Sequence, residues 1–244
     1  MVRVKAVVFD YIGTVVNCVG YSMDVSKLKL YRALVDEGVE VSVEVFLETY
    51  SRAHEKYRGV RYGELREVTN AVWVAEALND VGYSVAIDDV CVKAALDVFF
   101  KDFMDSLRLR TGVVEFLEQA SSNVKVGLLS NFTYAPVVYL SLDQLGVSKY
   151  FNGIVVSEEY GWRKPSPYIF REVLERLQVE ANEVLYIGDS PIEDIKGAKD
   201  MGFRTLFVKS QFYSLQNLAE CGIAPEFAVK NLREALRVFS QISK

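Results

Sequence analysis

The sequence predicts an α/β fold, a parallel sheet interrupted by a helical insertion, on three observations. Short, Val/Ile/Leu-rich runs recur after residue 120. Helical-period segments lie between them. The stretch from about 20 to 107 shows helical spacing throughout, with no convincing strand. Alternating strands and helices imply βαβ units with helices on both faces, a Rossmann-like core. The 244 residues suffice for one large domain, or for one domain with a sizeable insertion.

The first strand is Val4–Phe9. It runs into "VVFDYIGTVV" (Val7–Val16), an apolar stretch that delivers Asp10 to a glycine–threonine turn. The helical insertion follows. "VSKLKLYRALVDEG", "VEVFLETYSRAHEKYR", "RYGELREVTNAVWVAEALNDVG" and "DDVCVKAALDVFFKDFMDSL" each place apolar residues three and four apart. The α/β pattern resumes near Arg110–Thr111. This assigns residues 1–19 and 108–244 to the core and 20–107 to the insertion. The later strands are "VKVGLLS" (Val124–Ser130), "GIVVS" (Gly153–Ser157), "VLYIGD" (Val184–Asp189), "TLFVK" (Thr205–Lys209) and "FAVK" (Phe227–Lys230). Pro167–Leu177 and Pro191–Met201 read as helices between them. No Gly-, Pro- or Ser-rich linker and no internal repeat is visible.

Half the residues are apolar and a quarter charged, with a net charge of −5. That balance argues against a general nucleic-acid binder, because no cationic excess exists to neutralise phosphates. A small anionic substrate remains compatible with one locally positive pocket. No apolar run reaches the ~18 residues that span a bilayer, and the N-terminal residues show no signal-peptide pattern. A cytoplasmic protein is expected. Cys18, Cys91 and Cys221 lie far apart without metal spacing, as free thiols do. The single histidine, His54, rules out a His-rich metal site.

Polar residues at the carboxyl ends of parallel strands converge on one crevice. Asp10 ends the first strand, and Ser130 and Asn131 end "VGLLSN". Lys164 lies in "YGWRKPSP", just after "GIVVSEE". Asp189 ends "VLYIGD", with Asp194 five residues later, near a helix start. Singly, each has an ordinary reading: Asp10 a turn former, Asp194 a first-turn acid, Lys164 a solvated lysine, Asn131 a loop residue. Their joint placement at strand ends favours chemistry. His54 and the aromatic stripe of Tyr50, Tyr57, Tyr62 and Trp73 read as packing within the insertion.

These motifs resemble, in order, those of the haloacid dehalogenase (HAD) superfamily of aspartate-nucleophile hydrolases. "FDYIGT" resembles its first motif, "LLSN" its second, Lys164 with Pro165 and Pro167 its third, and "GDSPIEDIKGAKDMGF" its fourth. The helical stretch resembles the family's inserted cap. The resemblance implies Asp10 as nucleophile and Lys164 as its charge partner. It implies Ser130 and Asn131 as substrate-binding residues. It also implies Mg²⁺ held by Asp10, the backbone carbonyl of Ile12 and Asp189, supported by Asp194, and a small-molecule substrate.

Ile12 departs from the pattern. The family's phosphatases usually carry an aspartate there, which protonates the leaving group and activates water. General acid–base help of that kind is worth about 10²–10⁴-fold. The superfamily's 2-haloacid dehalogenases also lack that aspartate, because halide leaves without a proton. They typically carry serine where this chain has Asp189, and use a cap arginine, for which Arg32 and Arg52 are candidates. Asp189 ranks a Mg²⁺-dependent phosphatase above a dehalogenase. A degenerate binding protein is the third reading, opposed by the surviving nucleophile, lysine and metal acids.

Overall fold

Residues 3–243 are described by a computed structural model. The strands are β1 (Ala6–Phe9), β2 (Val16–Cys18), β3 (Leu107–Leu109), β4 (Lys125–Ser130), β5 (Gly153–Val156), β6 (Val184–Gly188), β7 (Arg204–Val208) and β8 (Phe227–Val229). Six of them form one parallel sheet in the order β5-β4-β1-β6-β7-β8. The central strands β1 and β6 are buried along their whole length, as strands covered on both faces are.

The chain divides into two compact units, one of residues through Cys18 with those from Arg108 on, the other Val19–Leu107. The second unit holds helices α1 (Met23–Asp36), α2 (Val43–Gly63), α3 (Asn70–Asn79) and α4 (Val90–Ser106). Each starts at a polar cap, Ser22, Ser42, Thr69 or Asp89, whose side chain accepts from a first-turn N–H. Leu107–Leu109 pairs with Val16–Cys18 in a separate two-stranded sheet. Three-residue strands are too short for alternation to reveal.

The sheet unit continues with α5 (Val113–Ser121), α6 (Ala135–Gln144), α7 (Ser157–Tyr160), α8 (Pro167–Leu177), α9 (Gly197–Asp200), α10 (Leu215–Glu220) and α11 (Leu232–Ile242). Side chains alternate across a strand, and β1 feeds both faces. Ala6 and Val8 pack with Leu129, Tyr186 and the α8 residues Ile169, Phe170 and Val173. Phe9 meets Phe116 of α5 edge-on at 5.1 Å, and Phe116 meets Phe239 of α11 at 5.5 Å. By the same alternation Asp10 leaves the sheet on the α8 side. Lys164 lies just ahead of that helix.

The segment Pro191–Met201 is not a uniform α-helix. Pro191–Lys196 is a π-helical turn leading into α9. Ile195 N–H donates to Ser190 O, five residues back, at 3.1 Å. Among the described residues, no helix is long and apolar enough to cross a membrane.

Candidate active site

Register aligns the strand ends. Phe9 is level with Leu128 on one side and Ile187 on the other. Asp10 therefore emerges one position short of Ser130 and Asp189. Both carboxylates and Ser130 are buried at this edge.

Lys164 is the hub. Its ammonium group, 1% exposed, reaches Asp10 Oδ1 at 2.8 Å and Asp194 Oδ1 at 2.7 Å. It also reaches Leu129 O at 3.0 Å and Tyr186 Oη at 3.1 Å. Burial disfavours the ammonium, but Asp10 and Asp194 outweigh it and hold the lysine pKa well above its ordinary value.

Asp194 is fully engaged by the protein. Tyr186 donates to its Oδ1 at 3.0 Å, and its Oδ2 accepts from Asp189 N–H at 3.1 Å and Ser190 N–H at 2.9 Å. Those bonds draw the loop around the carboxylate, and the π-turn is the geometry that lets it reach back. Gly188 is required there. A Cβ on it would lie 2.5 Å from the Asp194 carboxyl carbon.

Asp10 and Asp189 differ from Asp194. Oδ2 of each is buried and has no hydrogen-bond partner among the described residues. Burial raises the Asp10 pKa to about 7, partly offset by Lys164. Burial, with Asp10 and Asp194 nearby, raises Asp189 to about 8. One oxygen from each of Asp10, Asp189 and Asp194 lies within 4.8 Å of the others. Two unpaired anionic oxygens in a dry site are costly unless a cation or protons offset them, and an all-oxygen donor set suits a hard divalent cation.

The loop after β1 wraps this pair. N–H groups of Thr14, Val15 and Val16 all donate to Tyr11 O, and Gly13 N–H donates to Val16 O at 2.7 Å. These bonds leave the Ile12 carbonyl out. Gly13 has φ +99°, and a Cβ on it would sit 2.3 Å from Asp189 Oδ2. Only glycine fits between the turn and the carboxylate.

Asn131 does something its motif position does not suggest. Its amide brackets Lys164, accepting from Lys164 N–H at 2.7 Å and donating to Lys164 O at 3.0 Å. It also donates to Glu193 Oε2 at 3.0 Å, and Arg163 donates to Glu193 Oε1 at 3.1 Å. With the side chain so occupied, a substrate contact from Asn131 would come from its backbone.

Sequence reasoning missed Tyr186, Glu193 and Arg110. Tyr186 had no signal in the sequence: the register, which sets it level with Val8, shows that it faces the side on which Asp10 emerges. Arg110 had none. Its guanidinium donates to Gly13 O and, at 2.6 Å, to Lys209 O, residues about a hundred positions away on either side.

In the helical unit, His54 lies parallel to Tyr50 at 6.3 Å and edge-on to Trp73 at 5.3 Å. Trp73 Nε1 donates to Tyr50 Oη at 3.2 Å, and Tyr57 donates to Glu76 at 2.6 Å. Tyr62 is exposed. Arg52 pairs with Asp80 at 2.8 Å, and Arg32 is exposed.

The family description of the haloacid dehalogenase-like hydrolases matches residues 4–202. This chain belongs to that family. Among the HAD relatives, the glyceraldehyde 3-phosphate phosphatase of Methanocaldococcus jannaschii is 22% identical over 263 residues, covering 99% of each protein. The glyceraldehyde 3-phosphate phosphatase of Methanopyrus kandleri is 35% identical over 103 residues, 42% of this chain and 44% of the relative. Two solved HAD structures share the fold. The 2-haloacid dehalogenase of Pseudomonas syringae pv. Tomato DC3000 superposes with TM-score 0.68 at 23% identity, covering 98% of this chain and 99% of that one. The magnesium-bound HAD hydrolase YfnB of Bacillus subtilis superposes with TM-score 0.62 at 20% identity, with the same coverage.

Proposed function

We propose that this HAD hydrolase is a Mg²⁺-dependent phosphatase of a small phosphorylated metabolite, acting through a phosphoryl group carried transiently on Asp10. The observation that carries this reading is the pair of buried, unpartnered oxygens, Asp10 Oδ2 and Asp189 Oδ2. Asp10, Asp189 and the Ile12 carbonyl are the residues to hold the ion. Bound there, Mg²⁺ would neutralise the carboxylates and draw charge from the phosphoryl oxygens.

Lys164 orients the Asp10 carboxylate through Oδ1, so that one Asp10 oxygen attacks while the other faces the ion. That attacking oxygen bonds to phosphorus as the ester oxygen departs with its electron pair. Water then attacks the same phosphorus, and the Asp10 carboxylate departs from phosphate. Ser130 and the backbone N–H groups near Ile12 and Asn131 bind the phosphoryl oxygens. Tyr186 and Asp194 keep Lys164 aimed. Ile12 supplies no proton in either step, so leaving groups that are stable as anions react fastest. The relatives named for glyceraldehyde 3-phosphate, and a ribulose-1,5-bisphosphate 5-phosphatase of Halopiger xanaduensis, 29% identical over 111 residues, support a small phosphate ester.

Ile12 also favours a second reading, dehalogenation, against which Asp189 counts. Parallel assays on p-nitrophenyl phosphate and L-2-chloropropionate separate the two. Phosphate release that needs Mg²⁺ and stops with EDTA is expected. Chloride release indifferent to EDTA would replace the phosphatase reading.

A further inference from the structure

A cavity of about 430 Å³ in the sheet unit is lined by Arg110, Lys209 and Lys230, with Asn17, Ser210 and Ser214 among its polar walls. Three cations and no carboxylate line it, in a chain whose net charge is −5. Among the described residues no acid forms an ion pair with any of the three. Glu234, near Lys230 in sequence, is spent on Lys230 N–H at 3.0 Å and Asn231 Nδ2 at 2.9 Å.

The cavity adjoins the reaction centre. Arg110 is anchored by Gly13 O and Lys209 O, and Gly13 is the residue pressed against Asp189. Ser210, on the cavity wall, lies beside Asp189 and partly offsets the rise of its pKa by burial. The Asp10 and Asp189 charges both act on the Arg110 guanidinium, against its desolvation. A rigid, half-buried arginine flanked by two lysines matches an oxyanion, because guanidinium and ammonium donors form short charge-assisted bonds to phosphate or carboxylate.

We propose that Arg110, Lys209 and Lys230 form a second oxyanion site, for a phosphate or carboxylate carried at the far end of the substrate or bound as a free anion. The substrate form rests on the phosphatase reading and narrows it to esters with a second anionic group. The binding site itself does not depend on that reading.

The test uses Lys209→Glu/Lys230→Glu, both positions being exposed, with Lys149→Glu/Lys199→Glu, two exposed cations outside the cavity, as the equal-charge control. Calorimetric titration of inorganic phosphate into the Mg²⁺-loaded protein should show two sites. The cavity variant should lose one of them, or bind there roughly tenfold or more weakly, and the Lys149→Glu/Lys199→Glu control should not. Unchanged phosphate binding in the cavity variant overturns the site.

Turnover distinguishes the sources. If the substrate carries the group, the cavity variant lowers kcat/KM for fructose 1,6-bisphosphate relative to fructose 6-phosphate about tenfold. If phosphate binding is lost and that ratio holds, the site takes a free anion. A wild-type protein that hydrolyses no phosphate ester fails the phosphatase reading, while the titration still reads the site.

Discussion

A carboxylate that displaces an alkoxide from phosphorus leaves behind an oxygen that needs a proton, and Ile12 has none to give. The side chain is half-buried, and its carbonyl stands outside the hydrogen bonds that close the Tyr11–Val16 turn. At this residue the proposed chemistry lacks an acid and keeps a backbone oxygen. Ile12→Asp should therefore raise hydrolysis of an alkyl phosphate more than that of p-nitrophenyl phosphate, whose leaving group hardly needs protonation. The gain should approach the ~10²-fold lower end of general-acid catalysis, less if the pocket is too apolar to hold the new carboxylate. The ratio of the two rates within one protein is the measurement. Equal effects on both substrates would mean that this position serves another reaction. Asp10, Lys164 and Asp189 were legible in the sequence, because strand ends bring their residues to one edge. Tyr186 and Arg110 were not, because a tyrosine on a buried strand and an arginine after a helical insertion look like ordinary core and surface residues. The double bracket of Asn131 on Lys164 depends on side-chain orientation, which spacing does not encode.

Among the elements, the loop after β1 presses so closely on Asp189, just after β6, that glycine is required at Gly13. Gly13→Ala would place a methyl 2.3 Å from Asp189 Oδ2 and force alanine to φ +99°. Backbone strain of that kind costs about 1–3 kcal/mol, and the clash must also displace Asp189. Gly202→Ala separates the two effects, since Gly202 has φ +84° with open space around it. Gly13→Ala should reduce Mg²⁺-dependent turnover more than tenfold, an expectation that follows from the ~1.4 kcal/mol equivalence of that factor. Gly202→Ala should lose only stability. Matching activity losses in the two variants would show that strain alone, and not the contact with Asp189, governs the site. The strands and most helices were readable from apolar runs and periodicity. The two-stranded pairing of Val16–Cys18 with Leu107–Leu109 was not, because three residues carry no period. The π-turn at Pro191–Lys196 was hidden as well, since its cause is the reach of Asp194 back to two N–H groups.

For the whole molecule, the buried acids couple stability to pH and, in the proposed reading, to metal. Asp10 and Asp189 have pKa values raised to about 7 and about 8 in the folded, metal-free chain. Raised carboxylates bind protons on folding. Their favourable contribution is complete below the ordinary carboxylate pKa and is lost as pH rises through 7 to 8. A divalent cation replaces those protons, so its stabilisation should grow over the same interval. Thermal unfolding with and without Mg²⁺ should show a larger rise in Tm at pH 8.5 than at pH 5.5, at about 2–4 °C per kcal/mol for a chain of this size. An equal rise at both pH values would mean that the ion binds away from Asp10 and Asp189.

The central claim is that Asp10 attacks phosphorus with Mg²⁺ beside it. The most direct measurement follows p-nitrophenyl phosphate hydrolysis in the wild type and in Asp10→Asn, with circular dichroism to verify that the variant is folded. The wild type should turn over with Mg²⁺ and stop with EDTA, and Asp10→Asn, whose amide cannot attack, should be inactive at any Mg²⁺ concentration. Sustained hydrolysis by folded Asp10→Asn would contradict the account, because no other group in the site could then be excused from the role assigned to Asp10.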